Sequence, residues 1–253
     1  MKNEITDKLS EEHRPEVIRE KLKKPVKENV ASDAVLGGID GCVTTFAVVS
    51  GVVGAGFSPS VALVLGFANL IADGFSMAIS NYESIKTDKE FIQSIRDSEK
   101  EHIEKIPSGE REEIRQIFKN KGFTADVLET IVDTISADKK LWIDTMLMEE
   151  HGVQKSGRDP LKAAIGTFIS FILVGSIPLI PFMIFGLEKN LQFTISACLA
   201  ALMFFSIGAL KSRVFSKPVF RSGIGTLLTG GTAAVLAFAV SYLLREIFDI
   251  AAL

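Results

Sequence analysis

The sequence predicts an all-α polytopic membrane protein with five transmembrane helices and a charged helical insert between the second and third. Apolar residues make up 47% of the 253-residue chain and gather in two blocks, 33–82 and 160–244, whereas 1–30 and 83–159 carry most of the charge. Five windows of about 20 apolar residues, long enough to cross a hydrocarbon core, lie inside these blocks. We place them at roughly 33–56, 59–82, 161–182, 190–210 and 222–244.

Lys and Arg in the connections orient these spans, because basic residues are enriched on the cytoplasmic side of a membrane. The amino-terminal segment holds Lys2, Lys8, Arg14, Arg19, Lys21, Lys23, Lys24 and Lys27, and the link between the fourth and fifth spans holds Lys211, Arg213, Lys217 and Arg221. We therefore predict a cytoplasmic amino terminus, a cytosolic insert and a carboxyl terminus outside. The predicted segments are 1–32 (charged, cytosolic), 33–82 (spans one and two), 83–159 (cytosolic helical metal-binding domain) and 160–253 (spans three to five).

The second span is predicted to continue into the insert as one helix. Ser58-Pro59 suits a helix start, and the pattern then runs without Gly or Pro from Tyr82 to Lys105. A break at Ser108-Gly109 separates this helix from a second insert helix that ends at Asn120. Thr124 is expected to cap a third insert helix over 125–136, and a fourth runs over 137–150.

Three features inside the other spans predict how they pack. Pro178 and Pro181 should bend the third span, which is tolerated where neighbours satisfy the freed carbonyl groups. Gly37-x-x-x-Gly41 permits a close helix approach, either within the subunit or across a dimer. Cys42 and Cys198 show no paired spacing, so we expect buried small hydrophobes rather than a disulfide or a zinc site.

Asp40 is a carboxylate inside a long apolar, glycine-rich span, where a charge costs at least about 2.5 kcal/mol and usually faces a pathway. In the second span Asn69, Asp73 and Met77 recur every four residues and so share one helical face, which Asn81 continues. Oxygen and sulfur ligands on one track suit a borderline transition metal better than sodium or calcium. The alternative is a polar stripe used only for helix packing.

The insert offers a second set of metal ligands. Glu99-x-x-His102 and Glu110-x-x-Glu113 each lie on one face of a helix, in the manner of carboxylate cages in di-iron helical bundles. The last insert helix adds Met146, Met148, Glu149 and Glu150.

The alternative for these acids is a solvated helix face with i,i+4 ion pairs. The insert carries 17 Asp and Glu against 11 Lys and Arg from Glu83 to Gln154. Ion pairing is the simplest explanation for Glu101, Glu104 and Glu112.

Four stretches of the chain resemble the vacuolar iron transporters and their prokaryotic relatives. They are Asp33-Ala-Val-Leu-Gly-Gly-Ile-Asp40-Gly with the following Thr-Thr-Phe-Ala, Ala68-Asn-Leu-Ile-Ala-Asp-Gly-Phe-Ser-Met77-Ala-Ile-Ser-Asn-Tyr82, Trp142-Ile-Asp-Thr-Met146 and Pro178-Leu-Ile-Pro181. The resemblance implies a homodimer of five-span subunits that exchanges cytosolic ferrous iron, and often manganese, for protons. It implies that Asp40 and Met77 line the path between the two subunits. It also implies a cytosolic metal-binding domain that uses Glu99, Glu110, Glu113, Met146 and Glu150.

The chain departs from the family pattern at three positions. Asn69 stands where plant members have a glutamate, and Asp73 lies one turn further on. His102 stands where a glutamate is expected, and Leu147 where a second methionine is expected. These changes bear on the number and the preference of the bound metal ions.

We predict proton-coupled export of a divalent transition metal from the cytoplasm, with ferrous iron or manganese as substrate. The chain is expected to be a secondary transporter and not an enzyme, because it shows no catalytic nucleophile or phosphate-binding loop. The predicted partners are metal ions, protons, the lipid bilayer and a second copy of the chain, with no prosthetic group and no nucleic acid. The predicted location is a prokaryotic plasma membrane, or a vacuolar membrane if the protein is eukaryotic.

Two alternatives from other classes remain at this point. One is a membrane-anchored protein that binds or senses metal, and the other is a ferroxidase-like iron-storage factor, which Glu99-x-x-His102 would favour. The predicted path residues are Asp40, Asp73, Met77 and Asn69. The predicted metal ligands of the insert are Glu99, His102, Glu110, Glu113, Met146 and Glu150.

Overall fold

The computed structural model describes residues 10–23, 30–153, 157–184, 186–214 and 218–249. Within these ranges the protein is helical and contains no β-strand, which confirms the all-α prediction. The chain divides into two compact units. The membrane unit is Asn29–Ile85 with Asp159–Leu253, and the insert unit is Met1–Glu28 with Lys86–Arg158.

Among the described residues, four helices are long and apolar enough to cross a membrane. They are α2 (Val30–Gly54), α3 (Pro59–Lys105), α8 (Lys189–Val214) and α9 (Val219–Phe248). Helix α7 (Pro160–Gly175) and the 3₁₀ helix Ile177–Met183 meet at an angle of 41° and together make a fifth candidate span. The predicted polytopic membrane fold is therefore confirmed. The bent pair corresponds to the third of the five predicted spans.

Helix α2 lies at the centre of the membrane unit. Its apolar side chains pack against α3, the 3₁₀ helix, α8 and α9 in one continuous core. The buried members of that core are Cys42, Phe46, Val49, Val52, Ala62, Leu179, Phe182, Ala200, Phe204 and Ala234. A helix that is apolar along nearly its whole length can hold this position, although Leu36 and Asp40 remain exposed on it.

Close contact between α2 and α7 depends on the two glycines of the Gly37-x-x-x-Gly41 motif. A Cβ atom on Gly37 would lie 2.2 Å from the backbone oxygen of Thr167, and one on Gly41 would lie 2.4 Å from that of Phe171. Both distances are too short for a carbon–oxygen contact, so only glycine fits. The motif therefore serves packing within the subunit, which is one of its two predicted uses, and gives no support to a dimer.

The variant Gly41→Ala tests this packing. Its added methyl group must push α2 and α7 apart, and overpacking of this kind costs about 1–3 kcal/mol. The matched control is Gly231→Ala in α9, where an added Cβ meets no atom within 4 Å and alanine is the better helix former. Thermal unfolding of the detergent-solubilised protein should show a lower midpoint for Gly41→Ala only. Equal midpoints for the two variants would show that α2 and α7 do not pack this closely.

The bend in the third candidate span lies at the predicted prolines. Pro178 and Pro181 are fully buried, and the chain changes from α-helix to 3₁₀ helix just before them. The hydroxyl of Ser196 on α8 donates to the carbonyl oxygen of Pro178 at 2.7 Å. A neighbouring helix thus satisfies one of the polar groups that the bend frees, as the sequence predicted.

The insert unit contains the end of α3 and three further helices with an apolar core of their own. The helices are α4 (Pro107–Asn120), α5 (Ala125–Ala137) and α6 (Lys139–Glu149), and the amino-terminal segment adds α1 (Pro15–Lys23). The buried core residues are Ile103, Ile114, Val132, Ile135, Trp142, Ile143, Met146 and Leu147. Helix α3 is continuous from Pro59 to Lys105, which confirms the prediction that the second span runs on into the insert.

Three local predictions in the insert were inexact. Ser108 and Gly109 do not break the chain but lie inside α4, because Pro107 occupies its first turn, where its fixed φ and missing N–H are tolerated. Thr124 precedes α5 without a side-chain capping hydrogen bond. Helix α6 begins two residues later than predicted, because the Asp138 carboxylate accepts from the backbone N–H groups of residues 140 and 141 and so caps it.

The cysteine prediction holds in part. Cys42 and Cys198 are both free, and Cys42 is completely buried in the core of the membrane unit. Cys198, in contrast, is exposed on α8, so its interpretation as a buried residue was wrong. Cys198 lies on a face of α8 that the rest of the described chain leaves uncovered.

Candidate metal site and membrane path

Two buried carboxylates form the centre of the candidate site in the insert unit. Glu99 on α3 is 3% exposed and Glu110 on α4 is 5% exposed. Each has one carboxylate oxygen, Oε2, that is buried and has no hydrogen-bond partner among the described residues. Leaving such an oxygen unpaired in a protein interior is costly, and a bound cation would remove this cost.

A histidine contacts each of the two buried carboxylates. Nε2 of His151 is 3.0 Å from Oε1 of Glu99 and 3.6 Å from Oε2 of Glu150. Nδ1 of His102 is 3.4 Å from Oε1 of Glu110. Of these residues, the sequence had predicted Glu99, His102, Glu110 and Glu150 as candidate ligands, but not His151.

The five residues form two overlapping groups of possible metal ligands. One group is Glu99, Glu150 and His151, and the other is Glu99, His102 and Glu110. In each group one nitrogen or oxygen atom from every residue lies within 4.8 Å of the others. Glu99 belongs to both groups, so its carboxylate is positioned between them.

The electrostatic field of this site favours a cation. Burial, together with the nearby carboxylates of Glu113 and Glu99, raises the pKa of Glu110 to about 7. Burial also raises the pKa of Glu150. The hydrogen bond to Glu99 raises the pKa of His151. Burial is the main cause for the two carboxyl groups, whereas the negative charge of the neighbouring carboxylates favours the protonated imidazole of His151.

The structure also places the remaining predicted ligands. Glu113 is exposed on α4 and close enough to act on the charges of Glu110 and Glu150. Met146 is fully buried as a member of the apolar core of the insert, so packing accounts for its side chain. The structure therefore brings together Glu99, His102, Glu110 and Glu150, with Glu113 nearby, and adds His151.

His151 had no signal in the sequence beyond its position next to Glu150. The last turn of α6 is closed by bonds from the backbone N–H of His151 to the oxygen of Met146 and from that of Val153 to the oxygen of Leu147. Gly152 follows with a φ of +65°, which favours glycine. This helix end directs His151 back to a residue 52 positions earlier in the chain.

Three other acids of the insert form ion pairs, as was expected for them from the sequence. Glu101 pairs with Lys105, Glu104 with Lys139, and Glu112 with Arg115. Pairs of this kind on an exposed surface contribute little to stability. Because a basic side chain already neutralises each of these three carboxylates, they are less suited to bind a metal ion.

The predicted path residues lie in the membrane unit. Asp40 is exposed on α2, while Asp73 and Met77 are half-buried on α3. Asp73 is close enough to Asp40 to act on its charge. The side chain of Asn69 has a buried Nδ2 without a hydrogen-bond partner among the described residues.

Asn69 also lines an open pocket of about 630 Å³ whose walls come mainly from α2, α3 and α9. The walls are mostly apolar, and polar groups enter from Thr44, Asn69 and Ser241. The hydroxyl of Thr44 donates to the backbone oxygen of Asp40 at 2.6 Å. One member of the predicted track thus borders an open space in the membrane unit.

The spacing placed Asn81 on the same helix face as the path residues, but in the structure its side chain forms hydrogen bonds between helices. Its Nδ2 donates to Oδ1 of Asp33 at 3.1 Å and to Oγ1 of Thr167 at 2.8 Å. It therefore ties α3 to α2 and α7, which is the packing alternative for this end of the stripe. Asp33, which the sequence analysis did not include among the path residues, is 3% exposed and forms part of this network.

The fold and the candidate site together define the class of protein to which this chain belongs. The protein is a polytopic α-helical membrane protein that has carboxylates in its spanning helices and a histidine–carboxylate cluster in a separate helical unit. The chain belongs to the VIT family, whose model matches residues 31–242.

Curated relatives carry names that agree with this family. The vacuolar iron transporter of Toxoplasma gondii is 31% identical over 230 residues, which cover 86% of this chain and 76% of that protein. Vacuolar iron transporter 1 of Oryza sativa subsp. japonica is 28% identical over 216 residues, 84% of each chain. The vacuolar iron transporter of Plasmodium berghei is 29% identical over 220 residues, 83% of this chain and 81% of that protein. The resemblance drawn from the sequence motifs is confirmed.

Proposed function

We propose that this protein transports ferrous iron, with manganese as a second substrate, from the cytoplasm across a membrane in exchange for protons. The observation that carries the proposal is the pair of carboxylates, Asp40 and Asp73, on two spanning helices and within electrostatic range of each other. An ionisable side chain in a membrane is costly and usually marks the path of an ion. The names of the relatives support iron as the substrate.

The carboxylates explain how metal and protons are coupled in this proposal. A carboxylate that holds a divalent ion is deprotonated, and a proton takes its place when the ion leaves. Met77 lies one turn from Asp73 on the same face of α3 and adds a soft sulfur ligand. Such a mixed set suits ferrous iron better than calcium or magnesium.

The insert supplies metal to this path in the proposed mechanism. Its histidine–carboxylate cluster binds ions from the cytosol, on the side where the Lys and Arg of the connections place it. Because the cluster and the path lie in different units, binding and flux are separate properties that experiments can separate.

A homodimer is part of the proposal. Asp40 is exposed on the surface of a single chain, among apolar residues such as Leu36 that would otherwise face lipid. A second copy that covers this face would shield the carboxylate from lipid and place the path between two subunits. The proposed dimer contact involves the exposed Asp40 and not the glycine motif, which packs α2 against α7 within one subunit.

The rival is a membrane-anchored protein that binds or senses metal. The insert unit favours it in one respect, since that unit has its own apolar core and its own group of ligands. A membrane anchor, however, does not explain why the spanning helices contain carboxylates.

Uptake by proteoliposomes decides between the two functions. Vesicles with the wild-type protein are given ferrous iron, manganese, cobalt or zinc, with and without an imposed proton gradient, and protein-free vesicles are the control. We expect gradient-dependent uptake of iron and manganese. Tight metal binding without uptake under either condition would support the sensor and contradict the transporter.

A further inference from the structure

We propose that His151 is a metal ligand, and that His102 and His151 place one imidazole in each of two neighbouring metal positions that share Glu99. The inference deepens the proposed function, because it concerns the ion preference of the site that would supply the path. The consequence is a cluster that prefers divalent ions with affinity for nitrogen ligands, such as ferrous iron, cobalt and zinc, over manganese.

Geometry is the first argument. Nε2 of His151 approaches both Glu99 and Glu150, at 3.0 and 3.6 Å. Ligand atoms at such separations surround a space of the size that one ion with bonds of about 2.0–2.2 Å requires. His151 is 31% exposed at its side chain, so an ion can reach it from solvent.

The buried oxygens are the second and independent argument. An ion pair between His151 and Glu99 alone would use only Oε1 of Glu99. Oε2 of Glu99 and Oε2 of Glu110 remain buried without a hydrogen-bond partner among the described residues. A carboxylate that bridges two ions uses both of its oxygens, and this accounts for the orphaned atom that a simple ion pair leaves unexplained.

The chemistry of the ligands determines which metal ions the cluster of the insert prefers. Carboxylate oxygens alone suit manganese and magnesium, whereas imidazole nitrogens suit iron, zinc and the metals between them. Each of the two positions contains one histidine and two carboxylates. The selectivity of the insert should therefore follow the histidines more than the acids.

The test measures the binding of cobalt and of manganese to the full-length protein in detergent at one pH. The chain has three histidines, so His13→Gln, outside the cluster, is a matched control for His151→Gln. We expect His151→Gln to weaken cobalt binding by about tenfold or more, as the loss of metal-site groups does. Manganese binding should change by less than about threefold, and His13→Gln should change neither. Equal cobalt affinities for wild type and His151→Gln would overturn the proposal.

A spectroscopic measurement detects histidine nitrogen at the bound ion directly and so does not depend on affinity. Protein labelled with ¹⁵N-histidine is loaded with manganese and studied by pulsed electron paramagnetic resonance. We expect ¹⁵N coupling to the bound ion, reduced but not lost in His151→Gln because His102 remains. No difference in coupling between the two proteins would show that His151 only pairs with Glu99.

The outcomes keep this inference separate from the proposed function. Nitrogen coupling in a protein without flux in proteoliposomes would refute transport and leave His151 as a ligand. Gradient-dependent flux with unchanged cobalt affinity in His151→Gln would refute the inference and leave transport in place.

Discussion

Replacing Asp40 by asparagine is expected to abolish metal flux and to leave metal binding by the insert intact. Asparagine keeps the size of the side chain and removes its charge, so the ion loses a ligand in the membrane where few others are available. A lost interaction of only about 1.4 kcal/mol already lowers a binding constant tenfold. Uptake of ferrous iron in proteoliposomes should therefore fall by at least about tenfold.

The control for this prediction is Asp126→Asn, the same chemical change at an exposed position on α5. It should transport like the wild type. Metal binding in detergent should be equal in all three proteins, because the cluster around Glu99 lies in the other unit. Wild-type flux in Asp40→Asn would remove Asp40 from the path and with it the main support for the proposed mechanism.

The sequence predicted those features that depend on neighbours along the chain. The continuous helix α3 was predictable because Tyr82 to Lys105 contains no residue that interrupts a helix. The bend near Pro178 was predictable because proline removes a backbone donor. The pairs Glu99/His102 and Glu110/Glu113 could be placed on one helix face each by the same logic, since their members are one helical turn apart.

The features that the sequence could not predict depend on contacts between distant segments. His151 follows the end of its helix and meets Glu99 only after the bundle has formed, so no spacing rule identifies it. Asp33 lies in the first turn of α2, where an acidic residue is favourable in itself. The hydrogen bond that it accepts from Asn81 shows that it also belongs to a buried network. Gly41 indicated a close approach but not the partner, which the structure identifies as Phe171.

The metal affinity of the insert should fall as the pH is lowered from 8 to 6. A metal displaces protons from its ligands, so a ligand that is protonated competes with the ion. Burial raises the pKa of Glu110 to about 7, and its ionised fraction drops about tenfold over this range. The hydrogen bond to Glu99 raises the pKa of His151 above its usual value, which adds a second proton that must leave. We therefore expect cobalt to bind more than tenfold, and up to about a hundredfold, more weakly at pH 6 than at pH 8.

Two variants separate this effect from a general loss of binding at low pH. Glu112 is exposed, and its hydrogen bonds to Gln116 and Arg115 lower its pKa, so Glu112→Gln should keep the wild-type profile. Glu110→Gln should bind more weakly at every pH but with a shallower pH dependence, because one of the competing protons is gone. An affinity that stays constant from pH 6 to 8 in the wild type would mean that Glu110 does not take part in binding. Because the raised pKa of Glu110 comes from burial among other acids, the feature that makes this site attract a metal also makes it release the metal on acidification.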